Sequence, residues 1–513
     1  MGFMPNLPAS RRDSIVDRMS RTPPQKMIAD IFGYDGRVEV FDHHLSHAAS
    51  SYYFSGFEDS AILTVDGVGD WATTTYGFAK GPNIERFEQV DFPDSLGFFY
   101  SAITGYLGFE VNEGEYKVMG LAPYGEPDYA DQIRKLVDVS SDGQYRLNMK
   151  YFAFLTEDRM YSDELITLLG QPAREAESEL TQFHMDVARS VQVVLEEIML
   201  EKTRYLHTKF PSENLCMAGG VALNVVANGK CLREGPFKRL FVQPAAGDAG
   251  GAVGAAALAH VRVTGEAPLV KKLEHVYLGP SISVPDAYKF LKVSSAKFLD
   301  FRDKEDELIN YTAQGLSEGK IVGWCQGRME FGPRALGGRS ILADPRRPEM
   351  RDRINALVKM REAFRPFAPA VLESEYQNHF ALDHDSPFML ETCDVISDID
   401  LPAITHIDGS ARPQTVNGDS NPRFGKLLAE FHRLTGCPII LNTSFNMRGE
   451  PIVCTAIDAV RCFNRSQIDL LVLEDFVLER SGIPSFWEGL GHFSGKTGPD
   501  KDRVVEHSVY TML

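Results

Sequence analysis

Two stretches of this chain, NLCMAGGVALN (214–224) and RLFVQPAAGDAGGAVGAAALA (239–259), each pass from a short apolar strand through a glycine-rich bend into an Ala-rich helix. Units of this kind close by laying their strands side by side in a sheet that the helices cover. The fold class is therefore α/β, with helix N-termini facing the ligand side. Gly219, Gly220 and Asn224 in the first bend, with Gly247, Gly250 and Gly251 in the second, let backbone approach a nucleotide closely. Tight packing of helix on strand asks for the same glycines, and at this level the two readings stand side by side.

Upstream, from Val38, the chain runs VEVF, the polar DHHLSH, a run of small residues, AILTV ending at Asp66, a glycine-containing turn and TTTYGF. This predicts a strand, a helix and a β-hairpin in succession. Apolar residues at helical spacing (Val187, Val191, Val194, Leu195, Ile198, Tyr205) predict one long amphipathic helix over 181–209. At 513 residues the chain exceeds one ordinary hydrophobic core. HVYLGPSISVPDAYKFL (275–291) reads as a linker with Pro and Gly followed by a fresh helix. The expected division is a polar, Arg-rich lead-in over 1–36, a first domain over 37–272, a second over 283–485, and a tail over 486–513. Strands are expected in the second domain at 321–324, 438–441 and 470–473.

The formal charge is −18, yet residues 328–365 carry ten Lys or Arg against five Asp or Glu. A cationic block inside an acidic protein marks where a small polyanion, a phosphate compound, is held. The acidic remainder disfavours nucleic acid and anionic lipid, since binding them requires Lys and Arg to neutralise phosphates. No segment approaches about 20 consecutive apolar residues, so no membrane span is expected. The seven cysteines include no CxxC pair, which opposes a zinc ribbon or a secreted disulfide frame. They read as reduced core thiols, and the expected compartment is the cytoplasm. A homo-oligomer stays open.

Within the block, Gly332 and Pro333 set Arg334 on a rigid turn, Arg339 follows five residues on, and Lys359, Arg361 and Arg365 lie on a predicted helix ending at Pro366. Arginine forks match phosphate oxygens bidentately, and Lys supplies a mobile point charge. His43 and His47 stand four apart, which on a helix puts both imidazoles on one face where they can share a metal ion; surface and capping histidines show the same spacing. Asp66, ending a buried-looking strand, and Asp248, opening an Ala-rich helix, would complete the shell, although Asp248 reads equally as a helix N-cap. Two His with carboxylates favour Fe(II) or Mn(II) over structural zinc. LNTSFNMRGEPIV places Asn442, Thr443, Ser444 and Asn446 after an apolar strand, where hydroxyls and amides grip phosphate or simply cap a turn. No GxSxG elbow, Walker A loop, HExxH or kinase signature is present.

With these residues in view, the chain resembles the O-carbamoyltransferase family of nodulation and antibiotic-tailoring enzymes. Ten segments in family order carry the resemblance: DHHLSHAAS, LTVDGVGDWATTT, SLGFFYSAITGYLGF, EGEYKVMGLAPYG, AGGVALN, GDAGGAVGAA, GRMEFGPRALGGRSILADPR, FRPFAPAV, DGSARPQTV and LNTSFNMRGEPIVCT, spanning about residues 42 to 455. The resemblance implies an N-terminal actin-like ATPase (ribonuclease H-like) domain, as in the tRNA threonylcarbamoylation enzymes, and a second α/β domain of the carbamoyl-adenylate-forming, YrdC-like type. By the same resemblance the second domain takes carbamoyl phosphate and ATP and forms carbamoyl-adenylate. The first then delivers the carbamoyl group to a hydroxyl of a small-molecule acceptor with help from an iron-type metal.

Carried over by position, His43, His47, Asp66 and Asp248 match the metal site, and the loop through Gly219, Gly220 and Asn224 matches the nucleotide site of the first domain. Arg334, Lys359, Arg365, Arg412, Asn442 and Ser444 match the carbamoyl-phosphate and ATP residues. Catalytic roles are implied for Asp66 in orienting the acceptor, and for Arg334 and Lys359 in neutralising charge at phosphorus. Two departures stand out. The family's N-terminal hairpin with its His–Asp pair is not found, which implies either a shortened or mis-assigned start or the loss of part of the acceptor site, and Asp94 stands where the family more often has His. Other readings are a nucleotide-binding remnant without acceptor chemistry, a tRNA threonylcarbamoylation enzyme, which the acidic charge opposes, and a hydrogenase-maturation carbamoyltransferase, which the absent CxxC pairs oppose.

Overall fold

The computed structural model describes residues 24–268, 272–359, 362 and 364–483. Most of the expected lead-in, the whole 486–513 tail and Arg361 lie outside the described residues. After a helix α1 (Pro24–Phe32), the first layer is a five-stranded sheet built from β1 (Asp59–Gly69), β2 (Ala72–Lys80), β3 (Asn83–Asp91), β4 (Asn214–Ala218) and β5 (Arg239–Val242). Its order is β3-β2-β1-β4-β5. The first three strands pair antiparallel, and β1, β4 and β5 run parallel. This is the ribonuclease H-like arrangement expected of an actin-like domain.

The helices that place functional side chains on this sheet are α2 (His43–Tyr52), α3 (Leu96–Tyr106), α4 (Gln182–Lys209), α5 (Val225–Glu234) and α6 (Asp248–Thr264). The predicted helix over 181–209 forms as α4. Its apolar stripe, Val187, Val191, Val194 and Leu195, is buried with Tyr76, Phe99 and Tyr106 in one core. Glycine is required where α6 crosses α2, because a Cβ at Gly254 would overlap the Ser46 carbonyl. At the end of β4, Gly219 adopts φ +96° and a Cβ there would meet the Val65 carbonyl of β1. Tight packing accounts for both positions.

A second sheet of eight strands follows. It comprises β6 (Leu299–Asp300), β7 (Val322–Cys325), β8 (Arg339–Ala343), β9 (Ala368–Leu372), β10 (Gln414–Val416), β11 (Ile439–Ser444), β12 (Leu470–Leu473) and β13 (Phe476–Glu479), in the order β10-β9-β11-β8-β7-β12-β13-β6. Trp324, Ile341, Phe424, Phe431, Ile440 and Leu471 form its separate core. The three strands expected here are present as β7, β11 and β12, and the fresh helix after the linker runs Val284–Val293.

Three local expectations are corrected. VEVF is not a strand: it joins no sheet among the described residues, and Val40 stays 66% exposed. The strand β3, NIERFEQVD, was not foreseen, because an edge strand with one buried position and four charged residues in nine carries no apolar run. Of the helix expected to run through Lys359 to Arg365, the described residues show a widened π-type turn over Ile354–Lys359. Pro366 restricts the residue before it to extended backbone, and Arg365 sits outside the helix.

Candidate active site

Two polar centres stand out. The first lies where β1 ends. Asp42 caps α2 by accepting the N–H of Leu45, which sends His43, His44 and His47 down the face that meets β1. Nε2 of His43 and Nε2 of His47 lie 2.9 Å apart, and they stand 3.2 and 2.9 Å from Oδ2 of Asp66. Asp248 Oδ1 is 3.7 and 3.9 Å from the same two nitrogens. Asp66 uses Oδ1 to accept N–H groups from Gly67 and Gly220, which leaves Oδ2 turned to the imidazoles. Burial works to raise the Asp66 pKa, but the bonds to His43 and His47 override it and hold the carboxyl well below the usual carboxylate range.

These four residues fit a divalent cation. Their ligand atoms all lie within 4.8 Å of one another. Adjacent nitrogen ligands at about 2.1 Å and a right angle would be about 3.0 Å apart, close to the spacing of the two Nε2 atoms. Two imidazoles and two carboxylates form a donor set suited to Fe(II) or Mn(II). Asp248 is the first residue of α6 and makes no side-chain cap bond, Gly247 holding the cap position, so its expected N-cap role is not realised. Its side chain remains 73% exposed.

His44, which the spacing argument passed over, fixes this centre from behind. Its Nδ1 pairs with Thr64 Oγ1 at 2.7 Å on β1, and its Nε2 with the Ala72 carbonyl at 2.9 Å on β2. Burial drives its pKa down to about 4, so the ring is a neutral strut.

The second centre is a cavity of about 970 Å³ walled by both halves of the chain. All six residues assigned by resemblance to the phosphate chemistry (Arg334, Lys359, Arg365, Arg412, Asn442 and Ser444) line it, although 108 residues separate Arg334 from Asn442. The first half contributes Tyr116, Arg189, Gln192 and Lys230. Arg334 meets no hydrogen-bond or ion-pair partner among the described residues, and its Nε is closed off from solvent. Desolvation lowers its pKa to about 10, still charged at neutral pH. The Arg365 guanidinium lies 4.6 Å from the centre of the Tyr116 ring.

Lys359 behaves differently from Arg334. It is 2% exposed, and its Nζ donates to the Ser444 carbonyl, to Ser444 Oγ at 3.1 Å, and to the carbonyl and Oδ1 of Asn446 at 3.1 and 2.6 Å. It anchors the turn after β11 while adding positive charge to the wall. His406, also on the wall and not foreseen, is held neutral, because burial lowers its pKa to about 4.

The loop that presents Arg334 has no strand partner until β8 begins. Its backbone is met group by group by side chains. Glu330 Oε1 accepts the N–H groups of Leu336 (2.7 Å), Gly338 (2.7 Å) and Arg339 (3.2 Å). Asn442, Gln414 and Trp324 donate to the carbonyls of Ala335, Leu336 and Gly337. Arg339, fully buried, sends its guanidinium to the carbonyls of Gln326, Gly327 and Gly338 and is not free for ligand.

Gly219, Gly220 and Asn224 are not themselves on the wall of this cavity, although Asn224 bonds Gln192, which is. Gly219 and Gly220 sit against β1 and Asp66, and Asn224 caps α5 through the Ala227 N–H while exchanging amide bonds with Gln192. Asp94 accepts the Leu147 N–H at 2.7 Å. Among the described residues no helix is long and apolar enough to cross a membrane.

Comparison with known proteins agrees with this architecture. Residues 30–257 match the family description "Carbamoyltransferase N-terminus" and residues 313–480 match "Carbamoyltransferase C-terminus". The chain is 47% identical over 469 residues to an uncharacterized protein of Synechocystis sp., covering 86% of this chain and 76% of that protein. It is 39% identical to the nodulation protein NolNO of Sinorhizobium fredii (90% and 68% covered) and 40% identical to the nodulation protein NolO of Bradyrhizobium diazoefficiens (86% and 79% covered). A solved structure of T. kodakarensis HypF overlays at TM-score 0.25 and 17% identity, over 47% of this chain and 38% of that one, too slight a likeness to argue from. The two family matches and these relatives show that this chain belongs to the carbamoyltransferase family and is a carbamoyltransferase.

Proposed function

We propose that the protein is an ATP-dependent O-carbamoyltransferase. In the cavity, carbamoyl phosphate, one water and ATP give carbamoyl-adenylate, phosphate and pyrophosphate. The adenylate then passes to the first-domain centre, where a hydroxyl of a small-molecule acceptor attacks the carbamoyl carbon, forming the O-carbamoyl product and releasing AMP. The observation that carries this reading is Arg334, a charged guanidinium without a partner among the described residues, on the wall of a cavity it shares with Arg365, Arg412 and Lys359. In a chain of charge −18, such a concentration of cations fits a ligand bearing several phosphates.

Arg334 and Arg412 would neutralise phosphoryl oxygens, and the rigid loop around Glu330 keeps Arg334 aimed without reorganisation, the condition under which fixed charges accelerate reaction most. Asp66, His43, His47 and Asp248 would hold a divalent cation, which when bound supplies Lewis-acid polarisation of the carbamoyl carbonyl. Asp66 Oδ2 is positioned to take a hydrogen bond from the acceptor hydroxyl or to ligate the cation.

The test is pyrophosphate release by the purified chain with ATP and carbamoyl phosphate, in wild type and in Arg334→Ala. Release that requires carbamoyl phosphate and disappears in the variant supports adenylate formation. No release from folded, iron-loaded protein overturns it and favours a nucleotide-binding remnant.

A further inference from the structure

Arg334 and Arg365 face one cavity but are held in opposite ways. The Arg334 loop is pinned within its own half by Glu330, Gln414, Asn442 and Trp324. Arg365 lies between the π-type turn over Ile354–Lys359 and β9, where its carbonyl takes a long bond from Asn355 Nδ2 at 3.3 Å. The first half meets this stretch along one helical face. Its elements there are the short helix Glu115–Leu121 and the tighter turn Ala122–Tyr124 that continues it. Lys117 Nζ donates to Glu362 Oε1 at 3.3 Å, Gly120 backs onto Pro366, and the Tyr124 ring meets the Phe364 ring edge-on at 6.3 Å. Phe364 packs against the core of the first domain, not that of its own.

Tyr116 stands on the same face, and it belongs to none of the phosphate residues matched by resemblance. The helix beneath it is fixed: Val118 and Leu121 are buried in the first core, and the Glu115 carboxylate accepts Ser101 Oγ at 2.7 Å and the Asn112 N–H at 2.9 Å. The Tyr116 ring itself is 42% exposed, lines the cavity, and carries the Arg365 guanidinium over its face at 4.6 Å. A guanidinium stacked this way keeps its N–H groups free, because they project from the rim of the plane. Among the described residues they make no hydrogen bond, and the Glu362 carboxylate stands 3.7 Å off. We propose that Tyr116 is a positioning residue for the phosphate site: carried by the first domain, its ring fixes the plane of Arg365 so that the N–H rim meets a phosphate in the cavity. The adenylating site of the second domain is then complete only with the first domain docked on it. A reactive adenylate is thus formed only where the domain that consumes it is present. This inference rests on the carbamoyl-phosphate and ATP reading of the cavity.

The experiment uses the full chain and follows pyrophosphate release, with a KM for carbamoyl phosphate and one for ATP. Arg365→Ala identifies, by the KM it raises, the substrate whose phosphate the guanidinium holds. Tyr116→Leu should raise the KM for that same substrate about 10-fold, and Tyr116→Phe, which keeps the ring face, should stay within about 2-fold of wild type. Adding Tyr116→Leu to Arg365→Ala should cost nothing further, since the ring acts through the guanidinium. Tyr116→Met, also without a ring, serves if the leucine variant does not fold. Equal losses in Tyr116→Leu and Tyr116→Phe would make the hydroxyl a ligand contact and overturn the assignment. Losses that multiply in the double variant, a raised KM for the other substrate, or an Arg365→Ala chain with both KM values unchanged would overturn it as well. Absence of carbamoyl-phosphate-dependent release in wild type would instead remove the proposed function, and this assignment with it.

Discussion

His43 and His47 turn their Nε2 atoms to within 2.9 Å of each other, across an Asp66 oxygen that both can reach. Two imidazole nitrogens facing each other at this distance are compatible either with a proton between them or with a cation that both ligate, and the added carboxylates favour the cation. Asp66→Ala should therefore reduce tightly bound iron or manganese, read by elemental analysis of the purified chain, by at least about 10-fold. Asp248→Asn, altering a largely exposed carboxylate, should cost less. Equal metal content in wild type and Asp66→Ala would refute the cluster as a metal centre.

Arg334→Ala should lower kcat/KM for carbamoyl phosphate by about 10²- to 10³-fold, the usual loss on removing one pre-aimed donor to a developing charge. Arg334→Lys should recover little of it, because an ammonium does not reproduce the fork. Steady-state kinetics at saturating ATP measures this, and near-wild-type kinetics in both variants would exclude a ligand role.

Glu330→Ala withdraws one acceptor from three buried N–H groups, and a stability loss of roughly 3 kcal/mol is expected in chemical denaturation. Glu330→Gln keeps an acceptor oxygen and should lose less stability, yet still raise the KM for carbamoyl phosphate by loosening the loop under Arg334. Kinetics unchanged in Glu330→Gln would show that a neutral amide oxygen holds the loop as well as the carboxylate does.

Lys202 offers a test by pH. Its Nζ is buried, donates to Tyr76 Oη at 3.0 Å and to the Gly143 carbonyl at 2.9 Å, and lies 4.0 Å from the centre of the Tyr145 ring. Desolvation lowers its pKa from 10.5 to about 7. Between those values the unfolded chain binds the proton and the native chain does not, so this residue makes stability rise with pH from about 7 to 10. Lys202→Met should be the more stable protein near pH 7, and its advantage should shrink toward pH 10. A stability difference that is flat over this range would disprove the shift.

The α/β class, the long helix α4 and the strands β7, β11 and β12 were legible because their apolar spacing is also the spacing of their burial. The His43, His47, Asp66 and Asp248 set was legible in part, since a helical i,i+4 pair fixes one face whatever the tertiary structure, while convergence of Asp66 and Asp248 depends on how β1 and α6 pack. The contrast between Arg334 and Lys359 was not. Both are cations in one basic block, and only the fold shows that Lys359 is engaged by the 444–446 turn whereas Arg334 meets no partner among the described residues. His44 and Glu330 escaped for a related reason, because their partners are backbone groups and hydroxyls that no side-chain pattern announces.

Where α6 crosses α2, the missing side chain of Gly254 has an effect on chemistry it never touches. Ser46, whose carbonyl occupies the space a Cβ would need, is the residue before His47, so any bulk at position 254 must displace either the imidazole-bearing helix or α6, which carries Asp248. The gap between helices thus acts as a gauge for the gap between ligands. A methyl group at this remote position would change the spacing of His43, His47, Asp66 and Asp248 while leaving all four in place in the sequence.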